Sequence, residues 1–309
     1  MTSEVGAREL RQLPAAPVPA FPGEQVGLGR RTLFVRRAGR PGAQPAVFVH
    51  GLGGASTNWT DLMWLLQDRF DGWAPDLPGF GHSDPPPSGD YSLASHVHAV
   101  VRLLEHVADA AGGPVHLFGN SLGGAVSTRV AAIRPDLVRT LTLISPALPV
   151  LRPRRGTDPR LILLMVPGVS RLVTRASYNQ SARERVQAVL ELCYADPTLV
   201  PAERIAEAAQ ELERRRGLEW FDTALMASLR GLARSYLVRP SDSLWTQATL
   251  VTAPTLLVWG RHDRLVSATI ASRAQAAIPG SRLVIFEDCG HVAQMEHPVR
   301  VAQEFLALV

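Results

Sequence analysis

Gly119-Asn120-Ser121-Leu122-Gly123-Gly124 is the segment of this chain whose residue types and spacing most directly suggest chemistry. The apolar run Val115-His116-Leu117-Phe118 precedes it, and a helical pattern over 122–133 follows. A serine on a tight strand-to-helix turn projects its Oγ above the sheet, and glycines on either side let the turn close. Short glycine–serine patterns arise by chance, so the strand–turn–helix context gives the match its weight. A serine hydroxyl is a weak nucleophile. It needs a base, and the base needs an acid to orient it. Among nine histidines, His291 is the expected base, in Asp288-Cys289-Gly290-His291 after the last apolar run. Asp263, in Gly260-Arg261-His262-Asp263, is the expected acid. Asp288 is its rival, but lies so close to His291 in sequence that support of the loop suits it better. His262, His297 and His82 are weaker candidates for the base. His96, His98 and His106 fall in a helical pattern and are expected to face solvent or core. The chain order Ser121, Asp263, His291 is the one this kind of turn requires.

Attack by Ser121 on a carbonyl would create an oxyanion that needs preorganised donors. The N–H of Leu122, the residue after the nucleophile, is one expected donor. The N–H of Leu52, in His50-Gly51-Leu52-Gly53-Gly54, is the other. Gly51, Gly53, Asn120 and Val292 flank these groups and are the expected substrate contacts.

Positioning such groups takes a sheet. Short apolar runs at 46–49, 73–76, 115–118, 141–144, 255–259 and 283–286, with a further strand at 31–37, alternate with helical patterns at 93–111, 122–133, 266–278 and 299–308. The expected class is therefore α/β, with a mostly parallel central sheet and helices on both faces. In such sheets functional groups gather at the carboxyl ends of strands. His50-Gly51, Asp76, Ser121, Asp263 and His291 all fall there. The alternation stops over 147–248, where helical patterns at 183–192, 202–214 and 218–237 read as a helical insertion. Residues 1–25, with four prolines, read as a flexible extended arm. The division is then 1–25 arm, 26–146 and 249–309 core, and 147–248 insertion.

Composition removes other chemistries. The 309 residues include 32 basic ones, all arginine, and no lysine. A Schiff-base lysine, a pyridoxal-phosphate anchor, a P-loop and a Ser-Lys dyad are excluded. The net charge of +4 comes from scattered arginines, which gives no case for nucleic acid. The clusters Arg152, Arg154, Arg155 and Arg214, Arg215, Arg216 are expected to be solvated faces. Cys193 and Cys289 are too few for a disulfide framework or a zinc site, and no metal or other cofactor is expected. With no secretory signal and no apolar run of membrane length, a cytoplasmic location is expected.

Taken together, these motifs resemble the α/β-hydrolase superfamily from about residue 26 to the C-terminus, interrupted by the insertion. The resemblance rests on His50-Gly51-Leu52-Gly53, on Asp76-Leu77-Pro78-Gly79-Phe80-Gly81-His82-Ser83, on the turn around Ser121, on Gly260-Arg261-His262-Asp263 and on Cys289-Gly290-His291. It implies a helical cap over the site and makes 76–83 a structural turn. Haloalkane dehalogenases and epoxide hydrolases of this fold carry an aspartate where this chain has Ser121, so those activities fall away. A carboxylesterase or monoacylglycerol-lipase-like enzyme remains, beside a C–C hydrolase of meta-cleavage products, a haloperoxidase-like or acyltransferase relative, and a hydrolase-like protein that only binds a small ligand. Asn120, Gln294 and Glu296 are similar to the C–C hydrolases. Val292 departs from their usual tryptophan, and Gly51-Leu52-Gly53-Gly54 departs from their Gly-Pro-Gly loop. The favoured expectation is hydrolysis of a small, fairly apolar ester, with 161–173 and 220–237 lining the acyl pocket. A transient contact with a membrane or lipid surface is compatible with such a substrate.

Overall fold

The computed structural model describes residues 10–150 and 180–309. Eight strands form one sheet: β1 (Gly23–Gly27), β2 (Thr32–Gly39), β3 (Gln44–Val49), β4 (Phe70–Pro75), β5 (Val115–Asn120), β6 (Val138–Ile144), β7 (Thr255–Gly260) and β8 (Arg282–Phe286). Their order is β1-β2-β4-β3-β5-β6-β7-β8. β1 pairs with β2, and β2 with β4, antiparallel, while every later pair is parallel. The α/β class with a mostly parallel sheet is therefore as expected. β3, β5 and β7 are buried along almost their whole length, as strands covered on both faces must be.

The described helices are α1 (Thr60–Leu66), α2 (Leu93–Ala111), α3 (Leu122–Ile133), α4 (Ala182–Cys193), α5 (Ala202–Arg216), α6 (Phe221–Ser235), α7 (Leu244–Ala248), α8 (Ala271–Ala277), α9 (Ala293–Glu296) and α10 (Pro298–Leu306). α2 and α3 span the residues read from periodicity. Ser92 caps α2 by accepting from Ser95 N–H, and Gly112 ends it at φ 70°. α2, α3, α7 and α8 cover one face of the sheet. α1 and α10 cover the other, where Phe118 stacks on Phe48 at 4.5 Å and meets Phe305 at 4.6 Å.

Two expectations need correction. From Leu10 onward the N-terminal segment is docked rather than a free arm. Leu10, Leu13 and Phe21 pack on the core beside α1, Arg11 grips Asp68 at 2.7 and 3.0 Å, and Trp64 Nε1 donates to Gln12 C=O. Apolar residues between the prolines give this extended chain something to bury. Residues 23–27 then form β1, an edge strand too polar to show alternation. The described part of 147–248 is helical, but α7 returns to the core, with Leu244 and Ala248 buried against α3. The stretch 161–173 lies outside the described residues.

Candidate active site

Ser121 stands between β5 and α3 with φ 54° and ψ −116°. Among the described residues only Ser145, at the end of neighbouring β6, is another non-glycine in the left-handed region, at φ 44°. Such a backbone costs about 1–3 kcal/mol and persists only where its surroundings over-determine it. Here Ser121 N–H donates to Ile144 C=O, and Ser121 C=O accepts from Ala125 and Ala147 N–H. The glycines explain how α3 comes so close. A Cβ at Gly123 would lie 2.2 Å from Val49 O, and one at Gly119 2.5 Å from Gly123 O. The Leu122 N–H opens α3, where no carbonyl of the helix is available to it.

The loop after β3 lies against this turn: a Cβ at Gly51 would sit 3.1 Å from Ser121 Cβ. Its shape is set by His50. Leu77 N–H donates to His50 Nε2 at 2.9 Å, so Nδ1 carries the hydrogen and donates to Gly51 C=O at 2.7 Å. Burial lowers the His50 pKa to about 4, which keeps the ring neutral at pH 7. Gly54 N–H closes a turn onto the same Gly51 C=O at 3.1 Å. Gly53 takes φ 74°, and Leu225 of α6 comes within 3.4 Å of where its Cβ would be. Asp76, fully buried, accepts from Ser56 and His82 N–H and so fastens this loop to the turn over 76–83.

His291 and Asp263 meet as the sequence suggests. His291 Nδ1 lies 2.8 Å from Asp263 Oδ2, and both residues are buried. Asp263 Oδ1 accepts from Leu265 and Val266 N–H, each at 2.8 Å, which fixes the carboxylate. With Nδ1 donating, His291 Nε2 keeps a lone pair for a hydroxyl proton. Asp288 is not brought to His291. It stands on the surface, paired with Arg300 at 2.6 Å, and that guanidinium holds its carboxyl below the usual range. His262 is exposed, and His297 Nε2 bonds Asp288 C=O. His96 is buried and bonds Ser228, while His98 and His106 are exposed.

Asn120, an expected substrate contact, has both hydrogens of its buried amide on Ile144 C=O and His291 C=O, each at 3.1 Å. One side chain thus joins the serine turn to the histidine loop. Val292 is buried at the start of α9.

Sequence reasoning missed how the insertion holds these loops. His291 N–H donates to Cys193 C=O at 2.6 Å. Glu296 accepts from Gly290 N–H at 2.9 Å and Ala195 N–H at 2.8 Å. Arg264, next to Asp263, donates to Glu191 C=O. The Arg214–Arg216 cluster is not a solvated face. Arg214 donates to Gly81 C=O at 2.6 Å, Arg215 to Gly53 C=O at 3.0 Å and Arg216 to Gln180 C=O at 2.9 Å. A run of guanidinium groups looks the same in sequence whether it meets water or backbone carbonyls. Arg152, Arg154 and Arg155 lie outside the described residues. Cys193 and Cys289 are unpaired thiols, and burial pushes the Cys193 thiol up to about 12. Among the described residues, no group of three or more His, Cys, Asp or Glu side chains could hold a metal, and no helix is long and apolar enough to cross a membrane.

Comparison with known proteins adds the following. A family model described as alpha/beta hydrolase fold matches residues 45–298. The dihydrolipoyllysine-residue acetyltransferase component of an acetoin cleaving system from Cupriavidus necator is 30% identical over 283 residues, which cover 91% of this chain and 66% of that protein. A 2-hydroxy-6-oxononadienedioate/2-hydroxy-6-oxononatrienedioate hydrolase from Cupriavidus pinatubonensis is 28% identical over 262 residues, 83% of each chain. In three dimensions, a candidate lipase of Acinetobacter baumannii superposes with a TM-score of 0.73 at 22% identity, covering 93% of this chain and 90% of that one.

Proposed function

The chain belongs to the α/β hydrolase fold family, and on that premise we propose that it is a serine hydrolase cleaving carboxylic esters of fairly apolar acyl groups. The observation that carries this reading is the left-handed Ser121 turn tied through Asn120 to a histidine that is itself paired with a buried aspartate. In the proposed reaction Ser121 Oγ attacks the ester carbonyl while His291 Nε2 takes its proton. Asp263 holds the imidazole and stabilises its cationic form. The N–H groups of Leu52 and Leu122 receive the oxyanion. The tetrahedral species collapses, the alcohol leaves with the proton from His291, and Ser121 is acylated. Water, activated by the same histidine, releases the acid. The cycle calls for no cofactor. Leu52 and Leu225, both partly exposed at the loop 51–54, offer apolar surface there, and Val292, next to His291 in sequence, is the further proposed substrate contact.

The test is a panel of p-nitrophenyl esters of rising acyl length, run on the wild type and on Ser121→Ala. Turnover by the wild type and its collapse in the variant support the assignment; undiminished activity in Ser121→Ala overturns it. The Cupriavidus pinatubonensis relative favours a second reading, C–C hydrolysis of a dienoate. Bleaching of a coloured meta-cleavage product, with no turnover of the ester panel, would select it.

A further inference from the structure

We propose that Arg215, reaching from the insertion, is a positioning residue that holds the loop 51–54 in the shape that presents Leu52 N–H to the oxyanion. The inference rests on the ester-hydrolase reading above. Gly51 C=O and Leu52 N–H share one planar trans peptide, so they point in opposite directions. Holding Gly51 C=O outside the site therefore aims Leu52 N–H inward. Two donors hold that carbonyl, His50 Nδ1 at 2.7 Å and Gly54 N–H at 3.1 Å. His50 is fixed by β3 and by Leu77. Gly54 is less secure, because it follows Gly53, which is exposed, left-handed and has no side chain to pack. Arg215 acts at this weak half of the turn. Its Nη1 donates to Gly53 C=O at 3.0 Å and, at a longer 3.4 Å, to Gly54 C=O. Those two carbonyls belong to the peptides on either side of Gly54, the residue whose N–H closes the turn.

The guanidinium is itself held. Its Nε donates to Glu211 Oε1 at 2.7 Å, one helical turn back on α5, and its side chain is only 11% exposed. Glu211 also binds Arg214, which donates to Gly81 C=O. A planar fork so fixed loses little freedom when it grips two carbonyls. A second bridge from the same helix supplies a control. Arg204 pairs with Asp61 at 2.7 Å, joining α5 to α1 without touching the loop 51–54. If Arg215 were merely fastening the insertion, the loss of Arg204 would have the same consequences.

The experiment compares the full chain with Arg215→Ala, Arg215→Lys and Arg204→Ala. On the p-nitrophenyl ester best used by the wild type, Arg215→Ala should lower kcat roughly tenfold with KM within about twofold, because a loosened donor costs transition-state stabilisation and not substrate binding. Arg215→Lys should restore part of that loss, and Arg204→Ala should stay within about twofold of wild type. Amide deuterium exchange in the peptide spanning 50–55 should quicken in Arg215→Ala and not in Arg204→Ala. An unchanged kcat in Arg215→Ala, an equal loss in Arg204→Ala, or unchanged exchange in the loop would each overturn the proposal. A wild type that turns over no ester would instead sink the ester reading, and the exchange comparison would still decide the role of Arg215.

Discussion

The edge of the sheet formed by the strands' carboxyl ends and the helical insertion both hold the loops of the proposed site, but by different physical means. At the edge, α3 buries most of its length, and glycines at 119, 123 and 124 bring backbone against backbone at distances no side chain would permit. In the insertion, α5 has no buried residue, and its hold on the core runs through Arg204, Arg214 and Arg215 to a carboxylate and three carbonyls. Close-packed backbone is stiff and indifferent to salt and pH. Charged latches at partial exposure are weaker, screened by salt and open to titration. The contrast suggests a division of labour, in which the edge fixes where the proposed nucleophile, base and acid stand while the insertion trims the geometry around them.

That division implies a ranking of effects, with the edge at the top. Asp263→Asn should lower kcat by about 10⁴-fold and leave the fold intact, since the amide cannot stabilise a charged His291. Asp288→Asn, altering an exposed pair, should stay within about twofold. Steady-state kinetics and circular dichroism on both variants check this, and a larger loss in Asp288→Asn would reassign the acid. Gly123→Ala should follow. Its Cβ would press on the carbonyls of Val49 and His50, so β3 must shift, at about 3 kcal/mol. Urea unfolding measures that loss, and an unchanged midpoint would show that the edge is not held by close backbone approach.

How much of this the sequence revealed follows the same contrast. The apolar runs gave β3 to β7 because strands buried on both faces must be apolar, and β8, half-buried at the end of the sheet, kept an apolar run of its own. α2 and α3 were legible from their periodicity and ends. Ser121, Asp263 and His291, the proposed nucleophile, acid and base, stood out because the chemistry proposed for them demands particular residues at strand ends. β1 was illegible: Gly23-Glu24-Gln25-Val26-Gly27 has one buried side chain, and its partner is set by β2 rather than by any pattern of its own. The bridge that Asn120 makes was not legible, because an amide in that position looks the same in sequence whether or not it spends its hydrogens on two carbonyls. The Arg214–Arg216 latch was invisible for a related reason. Its acceptors are backbone carbonyls, more than a hundred residues away for Arg214 and Arg215, which leave no mark in residue type.

Asn120 tests the seam between serine turn and histidine loop. Asn120→Ala leaves Ile144 C=O with Ser121 N–H alone and strands His291 C=O in the interior, which should cost about 2 kcal/mol of stability. It should also lower kcat by roughly tenfold through a less well-placed His291. Asn120→Asp should not repair either loss, because an ionised carboxylate only accepts. Recovery of full activity in Asn120→Asp would mean that the amide hydrogens are not what joins the two loops.

The smallest effect belongs to Glu211, and its sign distinguishes a charged latch from a packed one. Partial burial pushes the Glu211 pKa up, but the hydrogen bonds and charges of Arg214 and Arg215 outweigh it and bring the value down to about 2. In the unfolded chain the group titrates near its ordinary 4.5. A carboxyl whose folded pKa is depressed stabilises the fold fully above the unfolded value, and that contribution drains away as pH falls towards the folded one. Discounted for partial exposure, Glu211→Gln should cost less than about 1 kcal/mol at pH 7. The gap between variant and wild type should narrow from about pH 4.5 downward and nearly close by about pH 2. Denaturant unfolding of both proteins across that range reads the gap directly. A gap that stays constant to the acid end would mean that α5 is held by shape, as the sheet edge is, and the contrast between the two regions would fail.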